Sequence, residues 1–334
     1  MNKYGIFIGF LLLCFVSVYS QDSKFIDLSK TTKFIDTLFI DRDLNNWSIR
    51  ALGSFKLQQF VIKPVNNSYL YSPNNPYGIG FGIGTKKAIF DFSFNLKASE
   101  ENPTERYDIL WSFFKKNHLI DFYFQHYRGF DVHNENTGEI VFREDISSLS
   151  TAIRYMYLLR ESDYSIASMK TGMIEADKST FSFGLGGFIL HSNQNANESI
   201  IPIDPNDLSN NNNNEPVHKF QGTGAGFMLG FSSLIVLPKN FFVSFHASPG
   251  IGLMNKYVST GDSGYQPGNP LIKQLGLSVM LGYNAKQYYV NLSVSNGYYA
   301  TDFNFGEEVL FGHLNAKLAY GYKLKGKFKK NWKK

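Results

Sequence analysis

An antiparallel transmembrane β-barrel of roughly 12 to 14 strands is the fold this sequence predicts. Three observations predict it. Apolar side chains alternate with polar or glycine positions through most of the chain, the period of a strand with one apolar face. The segments so marked are joined by connections that alternate between short and long. Beyond the N-terminus no stretch reaches 18 consecutive apolar residues, which disfavours membrane helices. A closed sheet is then the remaining structure that pairs every backbone N–H and C=O in lipid.

The N-terminus has the form of an export leader. Lys3 precedes an apolar run from Ile6 to Val18, too short for a membrane helix. Val18 and Ser20 are small enough for the recognition sites of a signal peptidase, which predicts cleavage after Ser20 and Gln21 as the mature N-terminus. Anchoring through Cys14 as a lipoprotein is disfavoured because Leu13 is a poor residue before a modified cysteine. Cys14 is the one cysteine of the chain, so the mature protein is expected to lack disulfides, thiol catalysis and Cys-ligated zinc. Loss of the leader removes one lysine and no acid, lowering a formal charge of +5 by one; this mild balance gives no reason to expect nucleic acid as a partner. Phe, Tyr and Trp number 31, 20 and 3, and aromatic girdles at two membrane interfaces are one place for so many rings.

The strands follow in order. Tyr77, Ile79, Phe81 and Ile83 alternate with Gly78, Gly80, Gly82 and Gly84; Phe90, Phe92, Phe94 and Leu96 alternate with Asp91, Ser93, Asn95 and Lys97. Tyr107, Ile109, Trp111 and Phe113 form one face of the next run, and Ile120, Phe122 and Phe124 oppose Asp121, Tyr123, Gln125 and Tyr127. Strand-like segments fall near 47–62, 77–85, 88–97, 105–115, 119–130, 149–159, 163–171, 179–191, 222–237, 241–253, 271–284, 288–295 and 309–324. Short turns are expected at 85–87, 115–118, 160–163, 238–240 and 284–287, and long loops at 63–76, 98–104, 131–148, 254–270 and 296–308. Single-chain barrels usually have an even strand number, and the odd count leaves two solutions. Either 198–204 adds a short strand, or 163–191 crosses only once. Around this barrel, residues 1–20 are read as the signal peptide, 21–46 as a periplasmic segment, 47–324 as the barrel and 325–334 as a tail with six lysines. A soluble periplasmic sandwich has the same alternation but explains less well the charged and glycine-rich second face.

Several stretches resemble an uncharacterised family of bacteroidete outer-membrane proteins, domain of unknown function 4421. They are Ser72-Pro73-Asn74 leading into the glycine-alternating 77–84, the pair 107–130 with Asp121-Phe122-Tyr123 and Gln125 to Phe130, and Phe241 to Leu253 ending in Ser248-Pro249-Gly250. The resemblance implies a barrel in the outer membrane of a Gram-negative cell and supplies no catalytic residues. The lysine-rich end beyond Lys325 departs from it, since such a chain is expected to stop near an aromatic residue.

Candidate site residues are the polar side chains on the inward face: Arg50, Lys56, Asp91, Asp108, Asp121, Tyr123, Gln125, Arg154 and Lys317. Rings of such charge set selectivity in a pore. In a narrow barrel they pair instead within a filled interior, and this plainer reading is preferred. The seven histidines show no zinc-protease spacing and no same-face strand pair, so no metal and no cofactor is expected. Ser295-Asn296-Gly297 matches part of an outer-membrane phospholipase motif, but the position of the required histidine is Ser293, so no enzyme is expected. The alternating glycines lack the lysine and helix of a phosphate loop and are read as room for opposing side chains. Expected partners are outer-membrane lipid and lipopolysaccharide, the export and barrel-assembly machinery, and an unknown surface ligand for loops 131–148, 192–221 and 254–270. A sealed structural or surface-interaction barrel is the preferred function; a narrow solute channel and, less so, an outer-membrane enzyme are the alternatives.

Overall fold

A computed structural model of the chain describes residues 47–63, 67–85, 88–96, 103–115, 117–159, 179–202, 216–261, 263–304 and 307–325. Fourteen antiparallel strands lie in one sheet. In chain order they are β1 (Trp47–Lys63), β2 (Tyr69–Ser72), β3 (Tyr77–Thr85), β4 (Ala88–Asn95), β5 (Glu105–Lys115), β6 (His118–Asn134) and β7 (Ile140–Leu158). After these come β8 (Thr180–Asn195), β9 (Val217–Val236), β10 (Phe241–Thr260), β11 (Gly264–Tyr265), β12 (Leu271–Asn284), β13 (Tyr288–Asn304) and β14 (Glu307–Lys323). All but β2 and β11 form a ring, closed where β1 meets β14 from Ser48↔Lys323 to Lys63↔Glu308. Closure removes the sheet edges, which is what lets a sheet lie in hydrocarbon.

Period 2 places the side chains. Along β1 even-numbered residues from Ser48 to Ile62 are buried inside, while Ile49 is half exposed on the outside. Exposed apolar side chains occur on the outer face of strands all round the ring, among them Phe92, Ile109, Phe183, Phe227, Leu253, Leu281 and Leu318. Toward the end that holds Trp47 and Lys323, here the termini end, rings touch in sequence around the outside: Phe241–Tyr283 at 5.0 Å, Tyr283–Tyr288 at 6.0 Å and Tyr288–Tyr320 at 6.1 Å. Such a girdle suits a membrane interface, where one edge of the ring is wet.

Several sequence expectations are corrected here. Segments 131–148, 254–270 and 296–308 are largely strand, not loop: β6 and β7 form one long hairpin, and β10 and β13 run on to Thr260 and Asn304. Exposed residues there mix polar Asn255 with apolar Ile140, Val141, Tyr257 and Tyr298, so strict apolar alternation breaks down while the hydrogen-bonded ladder continues, and the sequence pattern understates strand length. Residues 198–202 contain no strand. β7 pairs directly with β8 from Ser147↔Asn195 to Leu158↔Gly184, so the ring has twelve strands. The predicted strand 163–171 and turn 160–163 lie outside the described residues. The stretch read as loop 63–76 holds β2, which pairs with β1 (Phe60↔Tyr71) and with β6 (Tyr71↔Val132). Beyond the short β3, β4 and β5, therefore, β2 alone bridges β1 and β6, and the ring narrows toward the loop end.

Two local devices set this geometry. Gly129, at φ 81°, forms a bulge where the β6–β7 register shifts between Arg128 and Phe130. The extra residue moves the inward side from odd positions (Tyr123, Tyr127) to even ones (Phe130, Val132), all of them buried. At the opposite end Lys239 and Asn240 have φ of 59° and 65°, the positive values that mirror-image hairpin turns require.

Inward glycines make room for large inward neighbours. A Cβ on Gly226 would stand 2.7 Å from both Gly252 Cα and Phe188 Cε1, whereas one on Gly53 would meet nothing within 4 Å. Gly226→Ala is accordingly expected to cost about 1–3 kcal/mol and Gly53→Ala less than about 0.5 kcal/mol, measured by urea unfolding of the two variants refolded side by side.

Candidate functional site: a polar chamber under an apolar seal

The polar half of the interior is built from strands on one side of the ring. Position 91 of β4 brings its carboxylate to Arg50 of β1, whose Nη2 lies 2.5 Å away, and to Lys317 of β14, which also pairs with it. The three side chains are 12, 4 and 19% exposed respectively. One carboxylate thus serves two cations, and Gly82 is the reason it can approach: a Cβ there would overlap the Asp91 carboxylate and lie 2.9 Å from Arg50 Nε. Deeper toward the termini end, Arg154 Nη2 donates to Asp121 Oδ2 at 3.3 Å, and Ser112 Oγ donates to Asp121 Oδ1 at 2.7 Å. Higher up, Asp108 pairs with Lys56 at 3.7 Å and accepts from Gln125 Nε2 at 3.0 Å and Tyr127 OH at 2.8 Å.

These groups surround a cavity of ≈ 170 Å³, space for on the order of ten water molecules. Arg50, Asp91, Asp121, Tyr123, Arg154 and Lys317 line it; Lys56, Asp108 and Gln125 lie outside its lining, in the neighbouring network. The cavity also gathers His246, His313, Ser293 and Ser295, which the sequence reading did not assign to the interior. Their parity was legible: His313 stands opposite Gln58, itself in phase with Lys56. The His313 ring lies 4.8 Å from that of Tyr123, and Ser295 Oγ donates to Asn315 O at 3.4 Å. Arg106 is a second omission. It donates to Lys56 O at 3.1 Å, Tyr77 O at 3.0 Å and Asn95 Oδ1 at 2.5 Å, tying β5 to three other strands. Its alternation with Asp108 was the signal. Among the described residues no group of three or more His, Cys, Asp or Glu side chains is placed to hold a metal ion.

Above the chamber the interior changes character from polar to apolar. One apolar cluster includes Phe60, Tyr71, Phe130, Ile146, Leu190, Phe220, Val258, Ile272, Tyr299 and Phe311, all buried. These ten come one each from β1, β2, β6, β7, β8, β9, β10, β12, β13 and β14, every strand of the ring at that level. Phe60 stacks on Tyr71 at 4.1 Å and meets Phe130 at 5.4 Å; Tyr299 packs on Phe311 at 5.6 Å and reaches across to Phe188 at 5.9 Å. A loop closes the layer from above. Ile200 is fully buried in it, and its carbonyl accepts the Tyr71 hydroxyl at 2.7 Å. That loop is pinned by Arg143, which pairs with Asp145 at 2.7 Å and donates to Ser199 O at 3.3 Å, while Asp145 accepts from Asn197 N and Glu198 N.

The ring, its apolar outer face and its filled interior define a transmembrane β-barrel. The profile of the family described as Domain of unknown function (DUF4421) matches residues 34–323, and the chain belongs to that family. No curated protein matches it. Solved structures similar in fold include the outer membrane protease OmpT from Escherichia coli, at 9% identity, with 86% of this chain and 100% of that chain covered and a TM-score of 0.41. The β domain of the Bordetella autotransporter BrkA is 12% identical, with 82% and 98% covered and a TM-score of 0.38. The translocator domain of the autotransporter NalP from Neisseria meningitidis is 7% identical, with 90% and 95% covered and a TM-score of 0.34. At these values the likenesses say nothing of activity.

Removing the shared carboxylate should expose how the chamber is balanced. Asp91→Ala leaves two buried cations facing each other and is expected to destabilise the barrel by about 3 kcal/mol. Adding Lys317→Met to it should recover part of the loss, a non-additivity read from a double-mutant cycle of urea unfolding.

Proposed function

We propose that the protein is a sealed barrel of the outer membrane, acting as a structural or surface-interacting element rather than as a pore. The observation that carries this reading is the apolar layer filled from every strand of the ring and capped by Ile200. A hydrated path would have to pass through stacked aromatic rings that are 0–4% exposed. The polar chamber favours the alternative, a narrow solute channel, but its charges are paired with one another, and paired charge in a filled interior is the ordinary content of a small barrel.

In this proposal the first 20 residues are an export leader removed after Ser20, and residues 21–46 and 325–334 flank the barrel on its periplasmic side. The apolar outer face meets lipid and lipopolysaccharide, and the chain reaches it through the export and barrel-assembly machinery. The loop end faces outward, where the β6–β7 hairpin is joined to the segment after β1 by Asn136 Nδ2 donating to Asn67 Oδ1 at 2.8 Å and by Ser68 Oγ donating to Glu135 Oε2 at 2.5 Å. We assign no catalytic role to the chamber.

Planar-bilayer recording of the mature protein is expected to show no discrete conductance steps once insertion is verified by a heat-modifiable mobility shift. Reproducible steps would replace the sealed reading with the channel. Intact-mass measurement of protein extracted from outer membranes is expected to give a chain beginning at Gln21; recovery in the soluble periplasmic fraction would overturn the membrane assignment.

A further inference from the structure

The wall of the ring is uneven. β3 and β4 are laddered from Gly78↔Asn95 to Gly84↔Ile89, and β5 and β6 from Glu105↔Arg128 to Lys115↔His118. Between β4 and β5 the ladder is confined to Ala88↔Phe113 and Ile89↔Ser112. Beyond those two pairs no ladder pairing joins the strands, and they are linked again at the loop end by side chains, Arg106 Nη2 to Asn95 Oδ1 at 2.5 Å. Residues 90–94 and 107–111 therefore flank a seam in an otherwise continuous wall. Such a seam is costly in hydrocarbon unless something polar meets the strand edges there.

The chamber opens toward that seam. Its lining includes Asp91 of β4 and Leu110 of β5, and also Trp111, whose side chain is on the outer, lipid-facing side. On the outer lips of the seam stand Phe92, Phe94 and Ile109, all more than half exposed. Just inside, Arg50 and Lys317 both pair with the carboxylate of Asp91. An apolar lip, a wall without a ladder and a chamber with two cations at its near side thus follow one another along a line from lipid to lumen.

We propose that the β4–β5 seam is a lateral binding site for a single-chain anionic amphiphile, a long-chain carboxylate. Its head enters the chamber beside Arg50 and Lys317, and its chain lies between the aromatic lips. The small chamber, ≈ 170 Å³, suits a carboxylate and not a glycolipid headgroup. The apolar layer above blocks entry from the loop end, and the seam offers a route from the membrane. This inference rests on the reading of the outer face as lipid-exposed. It is tested separately from the sealed-barrel reading, because conductance and ligand binding are independent readouts.

Native mass spectrometry of the mature protein released from non-ionic detergent, with palmitate as the probe, tests it. One palmitate per chain is expected, at saturable occupancy, with hexadecanol and acetate failing to compete. Lys317→Met should weaken binding about tenfold, the scale of one charge-assisted hydrogen bond. Should that variant fail to fold by the mobility-shift criterion, Leu110→Trp carries the test: it fills the chamber behind the seam, leaves the charges in place, and is expected to abolish the adduct. Absence of a saturable adduct would overturn the proposal. So would equal competition by hexadecanol, which would mean apolar partitioning alone, or by acetate, which would mean an anion site that ignores the seam. Wild-type affinity in a folded Leu110→Trp variant would overturn it as well.

Discussion

Closure of the backbone ladder between β1 and β14 is the constraint on which the rest of this molecule depends. In lipid no water competes for the backbone, so every N–H and C=O must find its partner within the sheet. The contact running from Ser48↔Lys323 to Lys63↔Glu308 joins the first and last described strands along almost their whole length. Once the ring is closed, each residue's place along its strand decides whether its side chain meets the outside or the interior, because successive side chains point to opposite faces. Arg50 and Ile49 differ by one position and by solvent: one is paired inside the barrel, the other stands on its outer face.

The interior solves a packing problem in two different ways. Below the apolar layer, paired charges lie beside two smaller apolar clusters, one around Met156 and Met228 and one around Phe242 and Met280, and desolvation makes an unpaired charge costly there; hence Asp91 between two cations and Asp121 between Arg154 and Ser112. Toward the loop end, aromatic and aliphatic side chains from all strands meet in a close-packed layer. Glycine makes both possible. Gly82 gives way to the Arg50–Asp91 pair, and Gly226 to Phe188. The change of filling coincides with a change of ring: β3, β4 and β5 stop short, and β2 takes their place against β1 and β6. A narrower ring needs less side-chain volume to fill it, which suits a continuous apolar layer.

The same shortening leaves the wall weakest beside the chamber. Above, the lumen is closed by Ile200 and the aromatic layer; at the side, β4 and β5 share only two ladder pairs. The barrel is thus closed toward its loop end and thinned at one flank. This asymmetry arises from strand length and not from any single residue.

Much of this was legible in the amino-acid order. Period-2 alternation located the outer face and the turns at 238–240 and 284–287, and it assigned Arg50, Lys56, Asp91, Asp108, Asp121, Tyr123, Gln125, Arg154 and Lys317 to the inward set, because a strand's two faces are written directly in its sequence. By the same parity His313 and Arg106 could have been added. What the sequence could not convey is which inward residues meet. Asp91 and Lys317 are 226 positions apart, and their contact exists only because β14 returns to β1. The bulge at Gly129 shifts the inward parity within β6, a change that alternation alone reads as the end of a strand. The loop carrying Ile200 looked like a polar surface segment, yet the buried Ile200 side chain completes the apolar layer. By itself, then, the sequence determined the class of fold and the two faces of its strands, since these follow from local periodicity and the need to satisfy the backbone in lipid. Tertiary structure alone decided the strand number, the seal and the seam, because each depends on contacts between strands distant in the chain and on where their ladders stop.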